Sequence, residues 1–165
     1  MKKIIFSSIA AFAVIISGCS TKSTSVSSDT SVDSNKGSSG RDNWDIDSRI
    51  SQLNDTLNKV YFDFDKFNIR PDMQNVINNN ANIFNTEVSG ANITVEGNCD
   101  EWGTDEYNQA LGLKRAKAVK EALVAQGVNS DRISIKSYGE TNPVCTEKTK
   151  ACDAQNRRAE FKLSK

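Results

Sequence analysis

Val95-Glu96-Gly97-Asn98-Cys99-Asp100-Glu101-Trp102-Gly103-Thr104 runs directly into Asp105-Glu106-Tyr107-Asn108-Gln109-Ala110-Leu111-Gly112-Leu113-Lys114-Arg115. The first half alternates, which puts Ile93, Val95, Gly97 and Cys99 on one face of a strand. An acidic turn follows and launches a helix. Thr104 suits the N-cap because its hydroxyl can accept from an orphan amide of the first turn, and Asp105 and Glu106 then complement the positive end of the helix dipole. Asn108, Leu111 and Arg115 recur at spacings of three and four, so they share one helix face. Helical side chains lean toward the N-terminus, which predicts that Arg115 reaches back toward the turn that carries Asp100. Two readings of this carboxylate and guanidinium are open. They lock onto each other, or they hold a zwitterion between them, Asp100 taking an ammonium and Arg115 a carboxylate.

Outward from this junction the elements are short and regular. Ile46, Ile50, Leu53 and Leu57 recur at helical spacing and predict an amphipathic helix within residues 44–59. Val60, Phe62 and Phe64 alternate with Tyr61, Asp63 and Asp65, which predicts a half-buried strand. Pro71 stands at a first helical position, with Met73, Val76, Ile77 and Phe84 marking the inner face of the helix it opens and the Asn run at 78–80 its solvent side or a frayed stretch. Ala116, Val119 and Leu123 continue the inner face of the central helix until Gly127 stops it. Ile133 and Ile135 begin a third strand that ends near Gly139, and Ala159, Phe161 and Leu163 mark the last. The predicted class is α+β, in the order βαβαββ, with helices on one face of a mixed four-stranded sheet.

The N-terminus is of another kind. Met1-Lys2-Lys3 and the apolar run Ile4–Ile16 read as a signal peptide over residues 1–18, too short to span a bilayer comfortably. Its end, Ile16-Ser17-Gly18-Cys19, resembles the lipobox of bacterial lipoproteins, which implies cleavage before Cys19 and lipidation of that cysteine. Acyl chains anchor a protein without spanning the membrane. Residues 19–43 are mostly small and polar and read as a tether, on the order of 25 to 30 Å in average span.

Among 165 residues there is no histidine, and basic and acidic side chains balance at 21 each. The balance gives no reason to expect nucleic acid, and the missing imidazole removes the commonest general base and metal ligand. Cys145 and Cys152 enclose a short polar loop. In an oxidising compartment they predict a structural disulfide rather than a redox pair, because the spacing is not Cys-x-x-Cys. Cys99, in the alternating strand, reads as a buried thiol.

Taken together, Val60-Tyr61-Phe62-Asp63-Phe64-Asp65-Lys66-Phe67-Asn68-Ile69-Arg70, the Val95–Thr104 stretch, Glu106-Tyr107-Asn108 through Leu111, Arg115-Ala116 and Asn156-Arg157-Arg158 resemble the OmpA-like domain, over residues 60–165. The resemblance implies non-covalent binding of peptidoglycan through the diaminopimelate of its stem peptides, with Asp100 facing the ammonium and Arg115 the carboxylate. Asn108, Leu111, Phe64, Asp65, Thr104 and Arg157 fall at positions of the same cleft. With a lipobox and tether in front, it implies a lipoprotein of the outer membrane that ties it to the cell wall during envelope maintenance and cell division. Periplasmic Tol proteins such as TolB are the implied partners, and no cofactor is implied. Asn98, Cys99 and Trp102 depart from the common pattern, which has His, Ala or Thr, and Arg there. The competing reading is a cell-wall hydrolase that uses Asp100, Glu101, Asp105 or Glu106 as paired carboxylates, although acids beside a helix N-terminus have no burying pocket to make one of them a general acid.

Overall fold

A computed structural model describes residues 39–165, so the signal peptide, Cys19 and most of the tether lie outside the described residues. Helix α1 spans Ser39–Thr56, β1 Val60–Tyr61, α2 Gln74–Thr86, β2 Asn92–Asn98, α3 Asp105–Ala125, β3 Ile133–Gly139, α4 Lys150–Asn156 and β4 Arg158–Ser164. The sheet order is β1-β4-β2-β3. Strand β2 runs parallel to β3, with Val95 opposite Ile135, and antiparallel to β4, with Val95 opposite Phe161. The sheet is therefore mixed and four-stranded, as predicted.

Alternation decides which face is covered. Ile93, Val95, Ala159, Phe161 and Leu163 form a buried layer with Ile77, Phe84, Val119 and Leu123 of the helices. Phe84 meets Phe161 edge to face at 5.5 Å. Helix α3 ends where Gly127 takes φ +86°, and the Val128 amide closes the turn on the Leu123 carbonyl, an arrangement that a Cβ would disfavour.

Four elements differ from expectation. Helix α1 begins at Ser39, inside the stretch read as tether and ahead of the expected residue 44; adding residues to an existing helix costs little beyond its nucleus, so the composition of residues 39–43 need bury nothing. Its apolar stripe docks through Ile50 and Leu53, while Ile46 remains exposed. Asn54 brackets the backbone of Leu163, its Nδ2 donating to the carbonyl at 3.2 Å and its Oδ1 accepting from the amide at 2.7 Å. It thereby satisfies a strand edge that β1 is too short to cover.

The strand expected to run on to Phe64 stops at Tyr61. The Phe62 amide still donates to the Arg157 carbonyl, but beyond that residue the neighbouring chain belongs to α4, so there is no ladder to extend. Phe62 is buried and Phe64 is out in solvent. Asn80, in a run expected to be solvent-facing or frayed, lies within α2, is fully buried and donates to the Asn58 carbonyl at 2.9 Å. Helix α4, which starts within the cysteine loop and continues past Cys152, was not expected at all; Cys145 and Cys152 are joined as a disulfide, and Thr149 caps the helix by accepting from the Cys152 amide.

Candidate functional site

The approach of α3 to β2 fixes the geometry of the junction. A Cβ on Gly97 would lie 1.9 Å from the Gly112 carbonyl oxygen, so backbone meets backbone where only two glycines fit. Asp100 and Arg115 each follow this crossing by three residues, one on the loop leaving β2 and one along α3.

The turn is built from several locks. Thr104 caps α3 as predicted, accepting from the Tyr107 amide at 3.2 Å. The Cys99 amide donates to the Gly139 carbonyl at 2.7 Å. Asn108 is 1% exposed, and its Nδ2 donates weakly to the Asp100 carbonyl at 3.4 Å while its Oδ1 is buried with no partner among the described residues. The Cys99 thiol is buried against the Asn108 carbonyl, and burial pushes its pKa up to about 11.

Asp100 and Arg115 are not partners. Asp100, 3% exposed, accepts from Arg157 Nη1 through its Oδ2 at 2.8 Å. Arg115 is closed off from solvent: Nε donates to the Lys66 carbonyl at 2.9 Å, Nη1 to that of Asn98 at 2.8 Å and Nη2 to that of Asp63 at 3.3 Å. Its guanidinium also stacks on Phe62, 5.2 Å from the ring centre. Burial holds its pKa below the ordinary value. The predicted reach toward the turn is real, but it ends on backbone carbonyls. Arg115 thereby ties the loop after β1 to the end of β2.

A cleft of about 240 Å³ opens over this junction, with Asp100 and Leu111 in its wall beside Phe64, Asp65, Trp102 and Tyr107. Asp65 has φ +55°, a strained backbone for a non-glycine residue, and its carboxylate accepts from the Tyr107 hydroxyl. A second cavity of about 320 Å³ shares Phe64 and Trp102 and adds Lys150, Asp153 and Arg157. Of the sequence-predicted residues, Phe64, Asp65, Asp100 and Leu111 line the first cleft and Arg157 the second. Asn108 and Arg115 support the junction from the buried side, and Thr104, exposed, caps α3.

What sequence reasoning missed is that residues 148–157, which begin inside the disulfide loop and run past it, clamp the turn; of them only Arg157 was expected at the site. Arg157 pairs with Asp100, Lys148 with Glu101, and Asp153 accepts from the Trp102 indole at 3.0 Å. Three consecutive turn residues are each held by one short stretch near the C-terminus. The Cys145–Cys152 spacing was a partial signal: the ring contains Lys148 and fixes the start of α4, while Asp153 and Arg157 follow it. Glu101, Asp105 and Glu106 are exposed and share no buried pocket with Asp100.

An α+β domain whose strand-to-helix turn is built in this way belongs to the OmpA family, whose pattern matches residues 61–157. Along the whole chain it resembles a peptidoglycan-associated lipoprotein of Pseudomonas putida, 34% identical over 160 residues that cover 95% of both chains. A protein of that description from Pasteurella multocida is 42% identical over 110 residues, 67% of this chain and 73% of that one. The crystal structure of the peptidoglycan-associated lipoprotein of Burkholderia pseudomallei superposes with a TM-score of 0.63 at 38% identity, covering 68% of this chain and 98% of that one.

Proposed function

We propose that this protein is an outer-membrane lipoprotein that binds peptidoglycan without a covalent bond and so ties the membrane to the cell wall. The carrying observation is the cleft over Asp100, in a family member similar along its length to peptidoglycan-associated lipoproteins. Cys19, at the end of a lipobox-like leader, supplies the anchor, and residues 19–38 the reach toward the wall. Diaminopimelate in the stem peptide carries an ammonium and a carboxylate on one end of an aliphatic chain. Asp100 receives the ammonium, Leu111 packs on the chain, and the buried Oδ1 of Asn108 is a further acceptor one layer down. The ligand carboxylate falls to the half-buried Arg157, or to Arg115 if the Asp63 and Lys66 carbonyls yield. In the first case Arg115 is a positioning residue for the loop that carries Phe64 and Asp65.

The protein binds rather than cleaves, since the buried acid of the turn, Asp100, is ion-paired and the other acids of the turn lie in solvent. Periplasmic Tol proteins such as TolB are its partners in the envelope. Retention on purified sacculi tests this reading. Asp100→Asn is expected to weaken retention at least tenfold, Glu106→Gln to leave it unchanged, and free diaminopimelate-containing stem peptide to compete. Wild-type retention by Asp100→Asn, or release of soluble muropeptides, overturns it.

A further inference from the structure

Recognition of a charged stem-peptide end leaves a cluster of large aromatic side chains unexplained. Phe64 is 60% exposed and Trp102 59%, and the two stand where the two cavities meet. The indole is not loose: its Nε1–H donates to Asp153 at 3.0 Å, which pins one edge and leaves the ring open to solvent. Phe64 precedes the strained Asp65, whose contact with the Tyr107 hydroxyl fixes that wall too. Exposed apolar groups gathered in a concave site, with strain beside them, mark a place built for a ligand. Around the rim stand Lys150, Asp153 and Arg157, an acceptor between two donors.

We propose that Phe64 and Trp102 form a stacking subsite for an N-acetylated amino-sugar ring of the glycan strand. This rests on the reading of the adjoining cleft as a stem-peptide site. A pyranose ring presents weakly positive C–H hydrogens on its face, which suit the negative face of an aromatic ring. Its edge carries hydroxyl and amide groups that both donate and accept, and a rim of mixed sign satisfies both. A ligand of one charge would meet a like charge on that rim. An apolar side chain would fill the cavity and leave the rim polar groups unused. The subsite is continuous with the Asp100 cleft, and in peptidoglycan the stem and the sugar belong to one covalent molecule.

The test is titration of the full chain in detergent with two ligands, a free diaminopimelate-containing stem peptide and the same peptide on its disaccharide. The disaccharide form is expected to bind about five- to tenfold tighter, the size of one aromatic stacking contact. In Trp102→Ala that ratio is expected to fall to about one, whatever happens to the affinity for the free peptide, and Trp102→Tyr restores part of it. A wild-type ratio of one, or a ratio that survives in Trp102→Ala, overturns the subsite while the stem-peptide reading stands. Failure of both ligands to bind removes the two together.

Discussion

Adding one methyl group to Gly97 is expected to do more damage than any other single-carbon change in this domain. Its Cβ would sit 1.9 Å from the carbonyl oxygen of Gly112 and 2.7 Å from the carbonyl carbon. Ordinary contact begins near 3.4 Å, so helix and strand must separate by about 1.5 Å, and the obstacle is backbone that cannot rotate aside. Overpacking of this kind costs about 1 to 3 kcal/mol, and the backbone contact puts Gly97→Ala at the top, about 3 kcal/mol. For a domain of this size that lowers Tm by about 10 °C. Gly112→Ala is milder, because its nearest obstacle is the Ser137 hydroxyl at 2.3 Å, a side chain that can turn, although the Gly97 carbonyl follows at 2.9 Å. Gly90→Ala meets nothing within 4 Å and serves as the neutral control. Since Asp100 and Arg115 lie just beyond the crossing, Gly97→Ala is also expected to lose retention on sacculi below its own Tm. Thermal unfolding followed by circular dichroism gives the ranking, and Gly97→Ala melting within about 2 °C of wild type would refute the close-contact account.

Two further outcomes are expected. The Cys99 thiol is held above its ordinary pKa of 9.0, at about 11, by burial. The unfolded chain therefore loses that proton first, and the stabilisation, complete below pH 9, fades as pH rises toward 11, by up to about 3 kcal/mol; urea unfolding of wild type and Cys99→Ala at pH 8 and 10.5 should show the steeper loss in wild type, and parallel curves would contradict it. Opening the Cys145–Cys152 ring by Cys145→Ser with Cys152→Ser should cost about 2 to 3 kcal/mol and loosen the grip of Lys148, Asp153 and Arg157 on residues 100–102, so sacculus retention should fall even where the variant is fully folded; undiminished retention would show that the turn holds itself.

What could be read from the sequence is what repeats with a period or sits at a chain reversal. The alternation of β2, β3 and β4, the Thr104 cap and the Gly127 stop all depend on near neighbours, and each stands as predicted. Phe64 was misread because alternation in the sequence continues past the point where the partner strand ends. Helix α4 has seven residues, too few for a period to declare itself, and its cap and disulfide do what periodicity would otherwise do. The interior Gly112 carried a signal of close approach that passed unread. Arg115 shows the harder limit: its direction follows from helix geometry, but its partners are carbonyls, which every residue possesses, so no side chain announces them.

The ion pair at Asp100 shows how the site can be both prebuilt and receptive. Breaking a buried pair by removing one partner costs about 3 to 5 kcal/mol, so a ligand that had to displace Arg157 would lose most of what its own ammonium gained. Only Oδ2 of Asp100 is engaged by Arg157; among the described residues Oδ1 accepts nothing, and it is not sealed from solvent. An ammonium can therefore add to the second oxygen while the first stays paired. Arg157 is in turn fixed by its Nε, which donates to the Phe62 carbonyl at 3.2 Å, and its own carbonyl accepts from the Phe62 amide. The carboxylate is thus oriented before any ligand arrives, and the entropy of ordering it is already spent in folding. A reversible wall anchor gains from that economy, because no rearrangement stands between encounter and contact.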